Sequence, residues 1–308
     1  MNSLVTGATG FIGRSLCASL LERGHKLVAV SCSGNSLSDG TPTHAVDFAG
    51  SRLPPELLEG IDTVYHLAGI AHQRAAGESY DQVNHRATVQ LARDSRAAGV
   101  PQFVFLSSVK AMGAANTLQP RSEDDCVPPV DAYGRSKWRA ECDLRSEFNG
   151  ADMNVTIIRP ALVYGSEAKG NLALLDRGIR LGLPRPPEEG GRSMIALDDL
   201  VELLQLVAAQ PGTAVNTWVA CDGQRYSTRR VYDLLRRRAG YGTGGAWWPR
   251  WLWRLAASGH DLLFPATESI WDKLFATELY SNHAVCSALS WTPQLTMDDV
   301  LAAPGGGR

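Results

Sequence analysis

The sequence predicts an α/β protein, a doubly wound parallel sheet with a smaller C-terminal α/β lobe. Three observations predict it. Apolar strand-length runs near Leu4, Val28, Ala45, Val64, Val104 and Ile157 alternate with helical patterns up to about Gly182. The first run breaks at once into Thr6-Gly-Ala-Thr-Gly-Phe-Ile-Gly13 and opens an amphipathic stretch carrying Phe11, Ile12, Leu16, Leu20 and Leu21. Beyond Gly165 the alternation loosens into a Pro184-Arg-Pro-Pro187 turn, helical patterns near 198–209 and 228–238, and an aromatic cluster from Trp247 to Trp253. The expected division is 1–165 for the sheet domain, with contributions from later segments, and 166–308 mainly for the lobe.

Taken in order, the first turn reads as a dinucleotide site. Gly7 permits the tight strand-to-helix turn, Gly10 lets backbone approach a pyrophosphate, and Gly13 lets the helix pack close. Phe11 and Ile12 open that helix, whose N-terminus would face phosphate. The second strand ends at Ser31, followed by a polar loop to Thr43 expected beneath an adenine ribose. No carboxylate stands there to repel a 2′-phosphate and no arginine to bind one, so NAD and NADP both remain open, with a lean to NADP. Asp47, next to Phe48, either accepts from an adenine amino group or caps its own loop.

The run Val64-Tyr-His-Leu-Ala-Gly-Ile-Ala-His72 carries small residues to the sheet's carboxyl edge, where Leu67, Ala68 and Gly69 would let a cofactor lie flat. His66 reads as a satisfied core histidine and His72 as one that could face a substrate. Phe103-Val-Phe-Leu106 delivers Ser107 and Ser108 to the same edge. Tyr133 and Lys137 are four apart on the next helix, so they share a face. An ammonium about 4 Å from the phenol would supply on the order of 4 kcal/mol, about the three units that bring a tyrosine toward neutrality.

Composition bounds the remaining classes. The 308 residues are 44% hydrophobic and carry a formal net charge of −2, enough for a large core and no case for nucleic acid. Six cysteines without a CxxC pair indicate neither a zinc site nor a disulfide framework, and no metal is expected. No signal peptide and no apolar run of about 18–20 residues is seen, so a cytoplasmic protein without a membrane span is expected.

These motifs together resemble the extended short-chain dehydrogenase/reductase group, specifically its NAD(P)-dependent nucleotide-sugar epimerase/dehydratase family. The resemblance rests on the glycine turn with His66-Leu-Ala-Gly69, Asn84-His-Arg-Ala-Thr88, Phe105-Leu-Ser-Ser108, Tyr133-Gly-Arg-Ser-Lys137, Ile158-Arg-Pro-Ala-Leu-Val-Tyr-Gly165 and Asp198-Asp-Leu200, in family order over nearly the whole chain. It implies a Rossmann domain in which Ser108 is the catalytic hydroxyl, Tyr133 the acid/base and Lys137 its partner on the nicotinamide ribose. It further implies that Asn84 and Pro160 contact or frame the cofactor, and that Asn171 and Arg192 meet the substrate at its diphosphate; Lys110, with His72, is also expected at the substrate. The implied substrate is a nucleoside-diphosphate sugar, UDP-linked, and the implied assembly a homodimer through helices near 79–98 and 132–148, with Val83, Ala87, Leu91, Trp138 and Cys142 as spare apolar positions.

Val109-Lys110 replaces the Asp-Glu that dehydratases carry after the catalytic hydroxyl, which disfavours dehydration. Ser107-Ser-Val-Lys-Ala-Met-Gly113 is similar to the form found in bacterial polysaccharide-pathway members acting at sugar C4, as epimerases or 4-keto reductases, with Met112 in place of an asparagine. The tryptophan cluster reads either as a lobe helix over the substrate site or as an interfacial helix on a membrane. A cofactor-sensing protein without chemistry is the alternative function.

Overall fold

The structure, a computed structural model, describes residues 1–71, 77–114, 117–166, 171–242, 247–263 and 269–302. Seven parallel strands form the main sheet in the order β10-β6-β5-β4-β1-β2-β3. They are β1 (Asn2–Thr6), β2 (Lys26–Ser31), β3 (His44–Ala45), β4 (Thr63–His66), β5 (Gln102–Leu106), β6 (Asn154–Pro160) and β10 (Val215–Ala220). Strand β1 has β2 on one side and β4 on the other, in registers Leu4↔Val28 and Leu4↔Val64. That is the switch point of the doubly wound order, where a crevice opens at the carboxyl edge.

Both sheet faces are covered, as the continuous apolar strands require. On one face α1 (Phe11–Glu22) and α6 (Leu197–Ala208) bury Leu16, Leu20, Leu200, Leu203 and Leu204. On the other lie α3 (Ala87–Ala97) and α4 (Ala132–Phe148), which bury Leu91, Ala140, Leu144 and Phe148. Because β10 and α6 come from beyond residue 165, the chain returns to finish the sheet after leaving it. The helix expected over 79–98 is one continuous helical run, α2 (Gly77–Tyr80) passing through a π-helical segment at Asp81–Arg86 into α3.

The lobe holds β7 (Leu162–Tyr164), α5 (Asn171–Arg180), β8 (Gly191–Arg192), β9 (Met194–Ala196), α7 (Thr228–Arg238), α8 (Arg250–Leu263), α9 (Ile270–Phe275), β11 (Thr277–Glu278), α10 (His283–Leu289) and α11 (Met297–Ala302). Helix α8 docks on the lobe through Trp253 and Ala257, with the Trp253 ring edge-on to Phe275, while Trp247, Trp251 and Leu255 are exposed. No helix among the described residues is long and apolar enough to cross a membrane. Of the apolar positions expected to be spare for a dimer, Val83 and Leu91 are taken up in the chain's own core. Charged pairs instead bridge the α3 and α4 sides: His85–Asp143 at 2.7 Å, Arg139–Asp81 at 3.0 Å, and Arg93 with Glu147.

Candidate active site

The glycine turn is built as its spacing implies, with a separate physical reason at each glycine. Gly7 has φ +69°, and a Cβ there would stand 2.8 Å from the Ala68 amide across the switch point. A Cβ on Gly13 would stand 2.1 Å from the Gly7 carbonyl oxygen, so only glycine lets α1 start this close to the turn. Gly10 meets only that oxygen, at 3.0 Å, and is otherwise open and exposed. It precedes α1 with no side-chain cap and no acidic residue in the first turn, leaving the N–H groups there for an anion. Phe11 and Ile12 lie in that first turn, partly buried, and the Phe11 ring reaches Gly165. An open cradle beside an uncapped helix start fits a dinucleotide pyrophosphate.

Leu67, Ala68 and Gly69 are held at this crevice by one chain of hydrogen bonds. The Ala68 amide donates to Thr6 Oγ1 at 3.2 Å, and Thr6 Oγ1 lies 2.8 Å from His66 Nδ1. His66 Nε2 lies 2.9 Å from Thr88 Oγ1, whose own proton goes to the Asn84 carbonyl at 2.9 Å. Since Thr88 gives its proton away, His66 must donate from Nε2 and accept at Nδ1 from Thr6. The imidazole is neutral; burial, aided by the Lys137 charge, holds its pKa down to about 3. His66 is thus the satisfied core histidine that its strand position suggests. Asn84, in the π-helical turn, clips Ile70 from both sides, accepting its N–H at 2.8 Å and donating to its carbonyl at 2.9 Å, and also reaches Ser136 Oγ at 3.1 Å. Its side chain frames the crevice.

Residues expected at the adenine end are occupied within their own loops. Ser31 is buried, shares a 2.7 Å hydrogen bond with Thr43 and accepts from the Gly34 amide at 3.0 Å. Asp47 accepts from the Ala49 amide at 3.0 Å, the loop-capping alternative. The Phe48 ring is buried edge-on against His66 at 5.7 Å. Pro160 ends β6, buried, opposite Ala220.

Ser108 and Tyr133 meet through two local devices. Ser108 caps the 3-10 turn Val109–Met112, its Oγ accepting from the Lys110 amide at 3.2 Å. Helix α4 is capped by Asp131, which accepts from the Gly134 amide at 2.7 Å. A Cβ at Gly134 would fall 2.5 Å from the Lys110 carbonyl, so glycine after the tyrosine lets α4 press against the Ser108 turn. Ser108 there stands close enough to the Tyr133 phenol to lower its pKa. One turn along, Lys137 is 4% exposed and its Nζ donates to the Leu106 carbonyl at 2.9 Å, lies 4.6 Å from the Phe105 ring centre, and would be 3.3 Å from a Cβ on Gly69.

The ionisations differ from the expectation drawn from the Tyr133–Lys137 spacing. Desolvation raises the phenol's pKa, opposed by Ser108, and Lys137 is not what governs it. Burial also pulls Lys137 down, to about 7, against the Glu141 carboxylate. Helical spacing correctly puts the two side chains on one face, but it carries no information on the water removed from both.

Among the substrate residues, Lys110 reaches across to Glu278 of β11 at 3.2 Å. Arg192 donates from Nη2 to the Asp272 carbonyl at 3.0 Å, while its Nε is buried without a partner, a donor available to a ligand. Asn171 opens α5, and His72 lies outside the described residues. Sequence reasoning missed Glu141 and Arg159, a buried ion pair behind Lys137 with Nη2–Oε2 at 2.6 Å. The available signal was a glutamate four residues after Lys137, opposite the arginine of Ile158-Arg-Pro160.

A doubly wound sheet with this glycine turn at its switch point defines a dinucleotide-binding protein. Residues 3–218 match the NAD dependent epimerase/dehydratase family, and the chain belongs to that family of enzymes. It is 30% identical over 307 residues to the UDP-glucose 4-epimerase of Vibrio cholerae, covering 96% of this chain and 92% of that protein. It is 32% identical over 188 residues to the N-acetyl-alpha-D-glucosaminyl-diphospho-ditrans,octacis-undecaprenol 4-epimerase of Escherichia coli O157:H7, covering 59% of this chain and 54% of that one. The solved structure of MoeE5 in complex with UDP-glucose and NAD is 25% identical and superposes with a TM-score of 0.79 over 99% of this chain and 97% of that chain.

Proposed function

We propose that this chain is an NAD-dependent 4-epimerase of a UDP-linked sugar. The observation that carries the reading is Ser108 standing beside the Tyr133 phenol, whose pKa it lowers, at the sheet's carboxyl edge, with Lys137 one turn away against Gly69. NAD, when bound, supplies reversible hydride acceptance at the sugar's C4. Ser108 holds the O4 hydroxyl, and Tyr133 takes its proton as the C4–H bond gives up hydride, then returns it when hydride comes back to the opposite face. Lys137, one turn from Tyr133, would hold the nicotinamide ribose, since its charge is not what sets the phenol's pKa. Gly7, Gly10 and the start of α1 would hold the pyrophosphate, with Leu67, Ala68 and Gly69 beneath the cofactor; Asn171, at the start of α5, and Arg192, whose Nε is buried without a hydrogen-bond partner among the described residues, would take the substrate diphosphate.

NAD is preferred over the NADP toward which the second strand leans, because the Ser31 hydroxyl is engaged by Thr43 and Gly34 and the NAD-bound MoeE5 structure shares the fold. Purified protein is incubated with UDP-glucose and UDP-N-acetylglucosamine, with and without NADPH, and products are read by NMR. A 4-epimer formed without added NADPH is the expected result. Net consumption of NADPH by a 4-keto sugar would make it a reductase, and cofactor binding with no turnover of any UDP-sugar would make it a sensor. The homodimer through α3 and α4 is proposed on the same footing, and light scattering should give twice the 33.2 kDa chain mass.

A further inference from the structure

Behind the site, one carboxylate ties together the three elements that deliver its side chains. Glu141 stands one turn beyond Lys137 on α4 at 0% exposure, and Arg159 precedes Pro160 on β6 at 2%. Arg159 Nε donates to both Glu141 oxygens, at 3.0 and 3.1 Å, and Nη2 to Oε2 at 2.6 Å. Ser107, at the end of β5 beside Ser108, donates to Oε1 at 2.5 Å, and Arg145 donates to Oε2 at 2.9 Å. The remaining Arg159 nitrogen, Nη1, donates to the Glu123 carbonyl at 2.8 Å and to the Cys126 sulfur at 3.3 Å. Stability is a weak reason for such a pair, because desolvating two charges roughly cancels their attraction.

We propose that Glu141 and Arg159 are positioning residues that keep the Lys137 ammonium charged at the Leu106 carbonyl and hold the β5 edge, with Ser108, against Tyr133. The role in turnover rests on the epimerase reading above; the electrostatic coupling does not. Lys137 has the Phe105 ring and Leu106 carbonyl of β5 on one side and the Asn84 and Gly69 backbone region on another. The titratable groups that face it are Tyr133 and Glu141 of α4 and the neutral His66 of β4, with Arg159 of β6 and Arg145 of α4 acting through Glu141. Glu141 is therefore the opposing charge that offsets the burial of Lys137.

Breaking the pair from its two ends should move Lys137 in opposite directions. Glu141→Gln removes the attraction and leaves two guanidinium groups nearby, which favours the neutral amine. Arg159→Met leaves the carboxylate less neutralised, which favours the ammonium. A bridge that served only stability would fail in the same direction from either end.

The chain has five lysines, so lysine labelled with ¹³C at Cε gives a spectrum simple enough to titrate, with Lys137→Met assigning the signal. Between about pH 5 and 10 the Lys137 midpoint should fall by about one unit in Glu141→Gln and rise by about one unit in Arg159→Met. Arg145→Met, at a half-exposed position, carries no buried-charge penalty and should raise the midpoint by a few tenths if the core variants do not fold. With a turned-over UDP-sugar, the alkaline fall of kcat should shift with the midpoint while KM stays constant. An unmoved midpoint, or movement in one direction in both core variants, overturns the proposal. A midpoint that moves as expected in a protein inert toward every UDP-sugar refutes the epimerase reading while leaving the coupling intact.

Discussion

The crevice and the lobe are held by different kinds of contact. At the crevice the decisive groups are backbone: Gly7 against the Ala68 amide, Gly13 against the Gly7 carbonyl, and Lys137 on the Leu106 carbonyl. In the lobe they are side chains reaching far along the chain. Asp199, on the sheet helix α6, joins the lobe's C-terminal segment by accepting from the Gln294 and Leu295 amides, each at 3.0 Å, and Asp222 takes the hydroxyls of Tyr164 at 2.8 Å and Tyr226 at 2.6 Å. Tyr232 donates to the Leu183 carbonyl at 2.7 Å. A backbone cradle admits few substitutions, whereas side-chain pairs of this kind can be exchanged for others.

The sharpest way to break the crevice is Tyr133→Phe, which removes one oxygen and no packing. Turnover should fall by orders of magnitude, about the 10²–10⁴-fold given by a positioned acid/base, with unchanged melting and NAD affinity. Turnover close to the parent's would remove Tyr133 from the mechanism.

Next in size is a contrast between two glycines. Gly13→Ala drives a Cβ to 2.1 Å from backbone and should lose several kcal/mol of stability along with cofactor binding. Gly10→Val meets one atom at 3.0 Å and should melt within a few degrees of the parent yet fail to bind NAD by calorimetry. If Gly10→Val bound NAD normally, the glycine there would have no cofactor role.

Lys137→Met tests the cost of the site itself. Because the folded pKa is depressed to about 7 from 10.5, the unfolded chain binds the extra proton between those values, so Lys137 makes stability rise with pH across that window. Below about pH 7 its burial costs the folded state at most on the order of 5 kcal/mol, from about 1.4 kcal/mol per unit. Replacement should therefore raise the denaturation midpoint at neutral pH, flatten its pH dependence from about 7 to 10.5, and abolish turnover. A lower midpoint would mean that Lys137 stabilises the fold.

The smallest effects lie in the lobe and where it joins the sheet helix α6, where they separate buried from exposed pairs. Asp199→Ala leaves two amides of the C-terminal segment without an acceptor and should cost about 1–3 kcal/mol by urea denaturation. Arg185→Ala removes the partner of Asp233 at a half-exposed site and should cost less than about 1 kcal/mol. NAD affinity should be unchanged in both; a loss in either would mean that lobe and crevice are coupled.

How far the sequence reaches is clearest at neighbouring residues. Ser107 and Ser108 are the same residue type at the end of one strand, yet Ser108 meets Tyr133 and Ser107 turns to Glu141. The alternation of a strand sends them to opposite sides, but which side holds the tyrosine depends on where α4 lies. Ser31 and Asp47 stand where a ribose and an adenine were expected, and their hydrogen bonds close their own loops. The π-helical segment at Asp81–Arg86 has no proline or glycine to announce it; it places Asn84 to clip Ile70, a contact across 14 residues.

By itself the sequence determined the features that short spacings dictate. Those are the glycine turn, the order of the first strands, the shared face of Tyr133 and Lys137, and the core role of His66. Only the tertiary structure decided that the phenol and the ammonium are both desolvated, that Arg159 and Glu141 stand behind them, and that β10 returns to close the sheet. Spacing within an element is fixed by its own helical or pleated geometry. Burial and charge pairing are set by whichever distant elements pack against it, and those set the ionisation of each group.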